Sequence, residues 1–251
     1  MRKVLMILTI LLSPFLSCVD DNYDANDASE SFLRARQDYD DENYAMAIQS
    51  LGEFKARFPY SKLATVTELM IADSHFQLEQ FEEAAVNYRQ FAKLHPKHEK
   101  VEFSLYRVGL CYWYLSPEEI DRDQNFTKQA VDEWRKLIDR APNNDFSLKA
   151  RKLIKEGHLR IAENQEFAAK FYCKLEKWAA CAFRSLAVAN EYPEFKSMKK
   201  ESLLRAGKAL KILSEIKRKD PDSDANTYFN LMSADDIAAE SGKVLAEAKT
   251  L

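Results

Sequence analysis

The sequence predicts an all-α chain, a superhelix of about five helical hairpins stacked in series after a short export segment and a tether. Three observations lead there. The 251 residues hold only 5 glycines and 7 prolines, too few for phosphate-binding loops between strands or for the many tight turns of a β-sandwich. Good helix formers (Ala, Leu, Glu, Lys, Gln and Arg) dominate the remainder, and a 46% hydrophobic content supplies a core. Finally, Pro59, Pro96, Pro142 and Pro193 each fall at one fixed distance after a small residue.

Taken in order, residues 1–17 read as a signal peptide. Arg2 and Lys3 precede the apolar run Val4 to Leu12, which is shorter than the roughly 20 residues a membrane span needs. Leu16-Ser17-Cys18 resembles a bacterial lipobox, with Phe15 where that motif usually has Leu, so Cys18 is expected to carry lipid. Residues 18–28, rich in Asp and Asn, are expected to tether that cysteine to the folded part. Loss of Arg2 and Lys3 takes the formal charge from −3 to −5.

The hairpins follow. The small residues Ala47, Ala84, Ala130 and Cys181 stand twelve positions before the four prolines, and Phe54, Phe91, Leu137 and Val188 lie seven after them. Ile48, Ala85, Val131 and Ala182 come one after. Such offsets share one helical stripe, which proline then ends. Tyr44, Phe81 and Trp178 stand three before the small residue, whereas the third unit has Thr127. This is the second-helix pattern of a tetratricopeptide unit, in which the small residue admits the paired helix. First helices are expected at Ser29–Asp40, Leu63–Leu78, Val101–Leu115, a long one at Phe146–Leu175, and about Met198–Ile216, with a terminal helix near Ala234–Lys249. The long helix counts Leu153, Ile161, Phe167 and Phe171 among its apolar positions. The proline intervals of 37, 46 and 51 put a loop at Ser116–Asn125 and lengthen the fourth unit. Residues 29–142 thus form repeats 1–3, and residues 143–251 form repeats 4–5 with the terminal helix.

Several blocks together carry a family resemblance. They are Tyr44-Ala45-Met46-Ala47-Ile48, Phe58-Pro59-Tyr60-Ser61, Phe91 to His98, Tyr106-Arg107-Val108-Gly109-Leu110, Arg122-Asp123-Gln124, Phe171-Tyr172, Arg184 after Ala179-Ala180-Cys181, and Tyr192-Pro193. With the lipobox and the unequal repeats, they resemble the BamD (ComL/YfiO-like) family, the lipoproteins of the outer-membrane β-barrel assembly machinery. Gln165 departs from the family pattern, standing where it has a glutamate, and the C-terminus is longer. The resemblance implies a non-catalytic scaffold, lipid-anchored on the periplasmic face of the outer membrane. Its implied partners are the POTRA domains of a BamA-like barrel protein, unfolded outer-membrane proteins and other assembly lipoproteins. Another envelope repeat lipoprotein, such as a secretin pilotin, is the alternative.

Candidate site residues divide by region. Tyr60, Tyr106, Trp113 and Tyr114 lie at repeat ends or on first helices, the concave side of such arrays, and are expected to line a groove for extended peptides. Tyr44, Phe81, Trp134 and Trp178 are expected in the repeat core. Charge is polarised: residues 20–45 carry −7 and residues 195–219 carry +7. Arg184, at the position matching the family's BamA-contacting arginine, and Lys199, Lys200, Arg205 and Lys208 form the expected partner face. Arg122, Asp123 and Gln124 mark the insertion. No order of residues suggests a catalytic triad, a metal site or a cofactor, and a pI near 5.9 offers no general field for nucleic acid. His95 and His98 read as a turn-packing pair. Cys173 and Cys181 flank a turn and can pair in an oxidising compartment, although buried thiols are the favoured reading.

Overall fold

A computed structural model of the chain describes residues 28–222 and 228–251. Cys18 and the expected signal peptide and tether fall outside the described residues, apart from Ala28. Ten helices and no strand are found among the described residues. In chain order they are α1 (Ala28–Asp40), α2 (Tyr44–Arg57), α3 (Lys62–Gln77), α4 (Phe81–Leu94), α5 (Val101–Leu115), α6 (Asn125–Arg140), α7 (Asp145–Lys174), α8 (Trp178–Glu191), α9 (Lys196–Lys219) and α10 (Ala234–Thr250). Each packs mainly on its neighbours in sequence, which is the contact pattern of a stacked repeat. The five hairpins are α1–α2, α3–α4, α5–α6, α7–α8 and α9–α10.

The proline rule explains how four of the helices stop. α2, α4, α6 and α8 end at Arg57, Leu94, Arg140 and Glu191, each two residues before its proline. The intervening Phe58, His95, Ala141 and Tyr192 have left helical geometry, with ψ between 55° and 71°. A following proline ring clashes with a helical conformation at that position. Three first helices end differently. Glu42, Glu79 and Glu176 adopt positive φ of 60°, 58° and 55°. The next amide in each case reaches back five residues, as Gln80 N–H does to the carbonyl of His75 at 2.9 Å. This is a Schellman stop that usually recruits glycine. It occurs in the three hairpins with an aromatic three before the small residue, and the ring then packs on the preceding helix, as Phe81 does on Phe76.

The small-residue stripe is the core. Ala47, Ala84, Ala130 and Cys181 are buried, as are Phe54, Phe91, Leu137 and Val188. Ile48 is only half-buried. Gly109 on α5 lets the helix pass directly against the Trp134 indole, whose N–H donates to the carbonyl of Tyr106 at 3.1 Å. Phe167 and Phe171 belong to an uncovered face of α7 rather than to its core. In the last turn of α9, Lys217 is buried and donates to the carbonyls of Phe229 and Asn230 at 3.0 and 2.9 Å, tying down the chain that leads to α10. Ser233 and Asp236 then close a capping box on α10.

Candidate functional site

The four expected groove aromatics do not behave alike. Tyr60, in the α2–α3 connection, is fully exposed. Tyr114, at the end of α5, is 57% exposed and stacks on Phe81 with 5.1 Å between ring centroids; Phe76 meets both rings edge-on. Tyr106 and Trp113 are half-buried and pack on Trp134 in the hairpin-3 core, Tyr106 also against Phe146. Burial first, and the neighbouring Tyr114 second, push the Tyr106 phenol above its usual range. Tyr114 therefore caps a partly exposed aromatic cluster with the half-buried Phe76 and Phe81, while Tyr106 and Trp113 pack into the hairpin-3 core.

Behind that cluster lies a polar network that the spacing arguments missed. Tyr88 on α4 donates to Asp73 on α3, and Arg107 on α5 donates to both, at 2.9 Å to the Tyr88 hydroxyl and 3.1 Å to Asp73. The Arg107 guanidinium also lies 3.7 Å from the centre of the Phe76 ring. Burial and the Asp73 charge hold the Tyr88 phenol far above its usual range, so it remains a proton donor. Three helices are thus joined by one charged cluster beneath the aromatic surface. The signal available in sequence was an arginine beside Val108, in a helix otherwise rich in apolar residues.

The insertion motif has an internal job. Gln124 is buried, donates to the carbonyl of Glu119 at 3.0 Å and accepts from the Thr127 hydroxyl at 2.5 Å. Thr127 replaces the aromatic of the other hairpins and closes this loop instead. Asp123 accepts the Asn125 amide at 2.7 Å, and Arg122 stays exposed near Glu119. From α7, Arg160 donates to Ser116 Oγ at 3.2 Å, and Asn164 to the carbonyls of Ile120 and Arg122 at 2.6 and 3.0 Å. The loop is therefore clamped onto α7 by residues outside the motif.

The expected partner face is also divided. Lys200 and Lys208 are exposed on α9. Lys199 pairs with Glu247 of α10 at 2.9 Å, and Arg205 pairs with Glu166 of α7 at 2.9 Å, with both partners of the second pair largely buried. These two charges bind helices to one another. Arg184 is half-buried, donates to Gln165 Oε1 at 3.3 Å and lies 5.7 Å from the Tyr172 ring centre. Both neighbours are neutral, so no carboxylate offsets its charge in these contacts. The local pairing with Glu191 that sequence distance allows is not the one formed.

One cysteine reading is corrected. Cys173 and Cys181 form a disulfide across the α7–α8 turn, whereas buried thiols were the favoured expectation. The Schellman turn at Glu176 brings the two Cα atoms to 4.8 Å, within disulfide range. Cys111 is the buried thiol, and burial pushes it up to about 12. His95 stacks on Phe91 and bonds Glu68 at 2.8 Å, and His98 also packs on Phe91. Among the described residues no group of three or more His, Cys, Asp or Glu side chains could hold a metal, and no helix is long and apolar enough to cross a membrane.

Five helical hairpins stacked in series define a helical-repeat protein. The profile of the YfiO outer membrane lipoprotein family matches residues 24–224, and the chain belongs to that family. Among its relatives, the outer membrane protein assembly factor BamD of Vibrio cholerae is 24% identical over 76% of this chain and 83% of its own length. The BamD of Neisseria gonorrhoeae is 23% identical over 64% of each chain, so that match spans just under two thirds of the relative. Among solved structures, a tetratricopeptide repeat protein from Parabacteroides merdae is 11% identical, with a TM-score of 0.39 over 88% of this chain and 98% of that one.

Proposed function

We propose that this chain is a non-catalytic scaffold of outer-membrane β-barrel assembly, held at the periplasmic face of the outer membrane by lipid on Cys18. The family match over residues 24–224 carries the reading, and relatives from several bacteria bear the name of an outer membrane protein assembly factor. In this reading the N-terminal hairpins receive extended apolar-aromatic segments of unfolded barrel proteins. Tyr60 and the Tyr114 cluster offer flat faces that tolerate varied side chains. The C-terminal hairpins bind a POTRA domain of a BamA-like barrel protein. Arg184, with its neutral neighbours, is suited to grip a partner's carboxylate through two parallel hydrogen bonds.

Affinity purification from detergent-solubilised outer membrane tests the reading. The expected product is a POTRA-bearing barrel protein; recovery of a secretin, or of neither, contradicts it. For the peptide surface, Tyr60→Ala with Tyr114→Ala is the better pair, because Tyr106 is packed against Trp134 and its loss would disturb the core. Peptides from the C-terminal strands of barrel proteins should bind this variant at least tenfold more weakly. Unchanged binding by a fully helical variant would remove the site.

A further inference from the structure

α7 is out of proportion to its neighbours. It has 30 residues, against 16 in α6 and 14 in α8. At 1.5 Å per residue it runs about 45 Å and α6 about 24 Å, so hairpin 3 covers only part of it. The near end of α6 meets α7 at Gly157, where Thr127 and Val131 approach. Beyond that point one face of α7, with Ile161, Ala162, Glu166 and Ala169, is buried. The opposite face carries Arg160, Asn164, Phe167, Phe171 and Leu175, which fall on a single stripe at helical periodicity.

The stripe changes character along its length. Arg160 and Asn164 are engaged by the clamped insertion loop. Phe167, Phe171 and Leu175 are 44%, 51% and 50% exposed. The loop therefore ends the cover that hairpin 3 provides, and two turns of apolar surface continue past it. Arg184 lies to one side of the stripe: its contacts Gln165 and Tyr172 are roughly a third of a turn round α7 from it, and Tyr172 meets the edge of Phe171 at 6.1 Å between ring centroids. Lys174 is exposed beside the stripe, Lys177 is exposed in the turn that follows α7, and Lys170 next to them pairs with Glu166 at 3.2 Å.

We propose that Phe167, Phe171 and Leu175 dock an acidic amphipathic helix from a partner, laid along α7 where a longer α6 would lie. Side chains four residues apart form a ridge that fits the groove of a second helix, with axes about 8–10 Å apart. Lys174 and Lys177 select acidic flanks on that helix, and steer its approach. The surface adjoins the Arg184 face but is centred on different side chains, and it goes beyond the role proposed above.

The probe is a designed 21-residue helical peptide with a leucine stripe and glutamate flanks, titrated by fluorescence anisotropy into the full chain. A lysine-flanked version and a proline-interrupted version accompany it. Saturable binding of the acidic helix is expected, at least tenfold weaker to Phe167→Ser/Phe171→Ser and at least tenfold weaker for the lysine-flanked peptide. Arg184→Ala should bind the peptide like the wild type, and Phe167→Ser/Phe171→Ser should keep its affinity for a POTRA fragment, which separates this proposal from the preceding one. No saturable binding, equal binding of the proline-interrupted peptide, or equal binding by the double variant would overturn it. So would sedimentation showing a wild-type dimer that the variant abolishes, because the occupant would then be a second copy. If the double variant loses helix, Lys174→Glu replaces it, and undiminished binding of the acidic peptide by that variant is again contrary.

Discussion

Hairpins 2 and 3 are held together in one way, and hairpins 4 and 5 in another. In the first pair, large rings and a partly buried charge cluster join α3, α4 and α5, with Tyr88, Phe91 and Trp134 fully buried. Asp73, Tyr88 and Arg107 are bonded to one another there. In the second pair the cluster is mostly small and aliphatic: Ala182, Ala189, Ala206, Ala209, Leu203 and Leu210, fastened by the Cys173–Cys181 disulfide. The same hairpin architecture is therefore built on large rings around a three-helix polar network in one half, and on small apolar residues with a disulfide and the Arg205–Glu166 pair in the other.

The largest expected effect is at the polar network. Asp73→Ala leaves Arg107 and the Tyr88 hydroxyl without their shared acceptor, and should cost about 3–5 kcal/mol in denaturant unfolding. A loss below about 1 kcal/mol would show that the network is decorative. Next comes the staple. The disulfide closes a separation of only 8 residues, so Cys173→Ser/Cys181→Ser should lose about 2.5 kcal/mol. An unchanged melting temperature under reduction would remove the covalent half of the contrast.

Glycine substitutions sharpen it further. A Cβ at Gly109 would overlap the buried Trp134 indole, whereas one at Gly207 would press on the movable end of Leu245. Gly109→Ala should cost about 2 kcal/mol despite its helix-propensity gain, and Gly207→Ala should be within about 1 kcal/mol of neutral. Equal effects would mean that the two cores give way alike. The smallest change is at the Schellman stops. Glu79→Gly relieves a positive φ of 58° and should stabilise by up to about 1 kcal/mol in thermal unfolding, with helicity unchanged.

What the sequence disclosed follows the same division. Helix α5 falls at the expected Val101–Leu115, and α1, α3 and α7 differ from expectation by a single residue at one or both ends, because proline, small-residue and apolar spacing are local signals. Interactions between distant side chains were not legible that way. Asp73 and Arg107 are 34 residues apart, as Glu166 and Arg205 are 39, and no periodicity links them. Gln124 was legible only as part of the insertion motif, whereas its buried amide holds the inside of the loop. The disulfide depended on the Glu176 turn, which a non-glycine residue at positive φ conceals. Phe167 and Phe171 read only as apolar positions of a long helix, and it is the relative lengths of α6 and α7 that leave them uncovered.

In the proposed function the C-terminal half binds through a surface centred on Arg184, whose contacts in the fold, Gln165 and Tyr172, are both neutral. The most direct measurement is the affinity of the full chain and of Arg184→Ala for a POTRA fragment, with thermal unfolding of both proteins recorded in parallel. Arg184 makes only a 3.3 Å contact to Gln165 and a distant approach to Tyr172, so stability should change by less than about 1 kcal/mol. Loss of a desolvated interfacial pair should weaken binding by about 2–5 kcal/mol, roughly thirtyfold or more. Lost affinity at an unchanged melting temperature is the predicted result; unchanged affinity with lowered stability would contradict it and make Arg184 a structural residue.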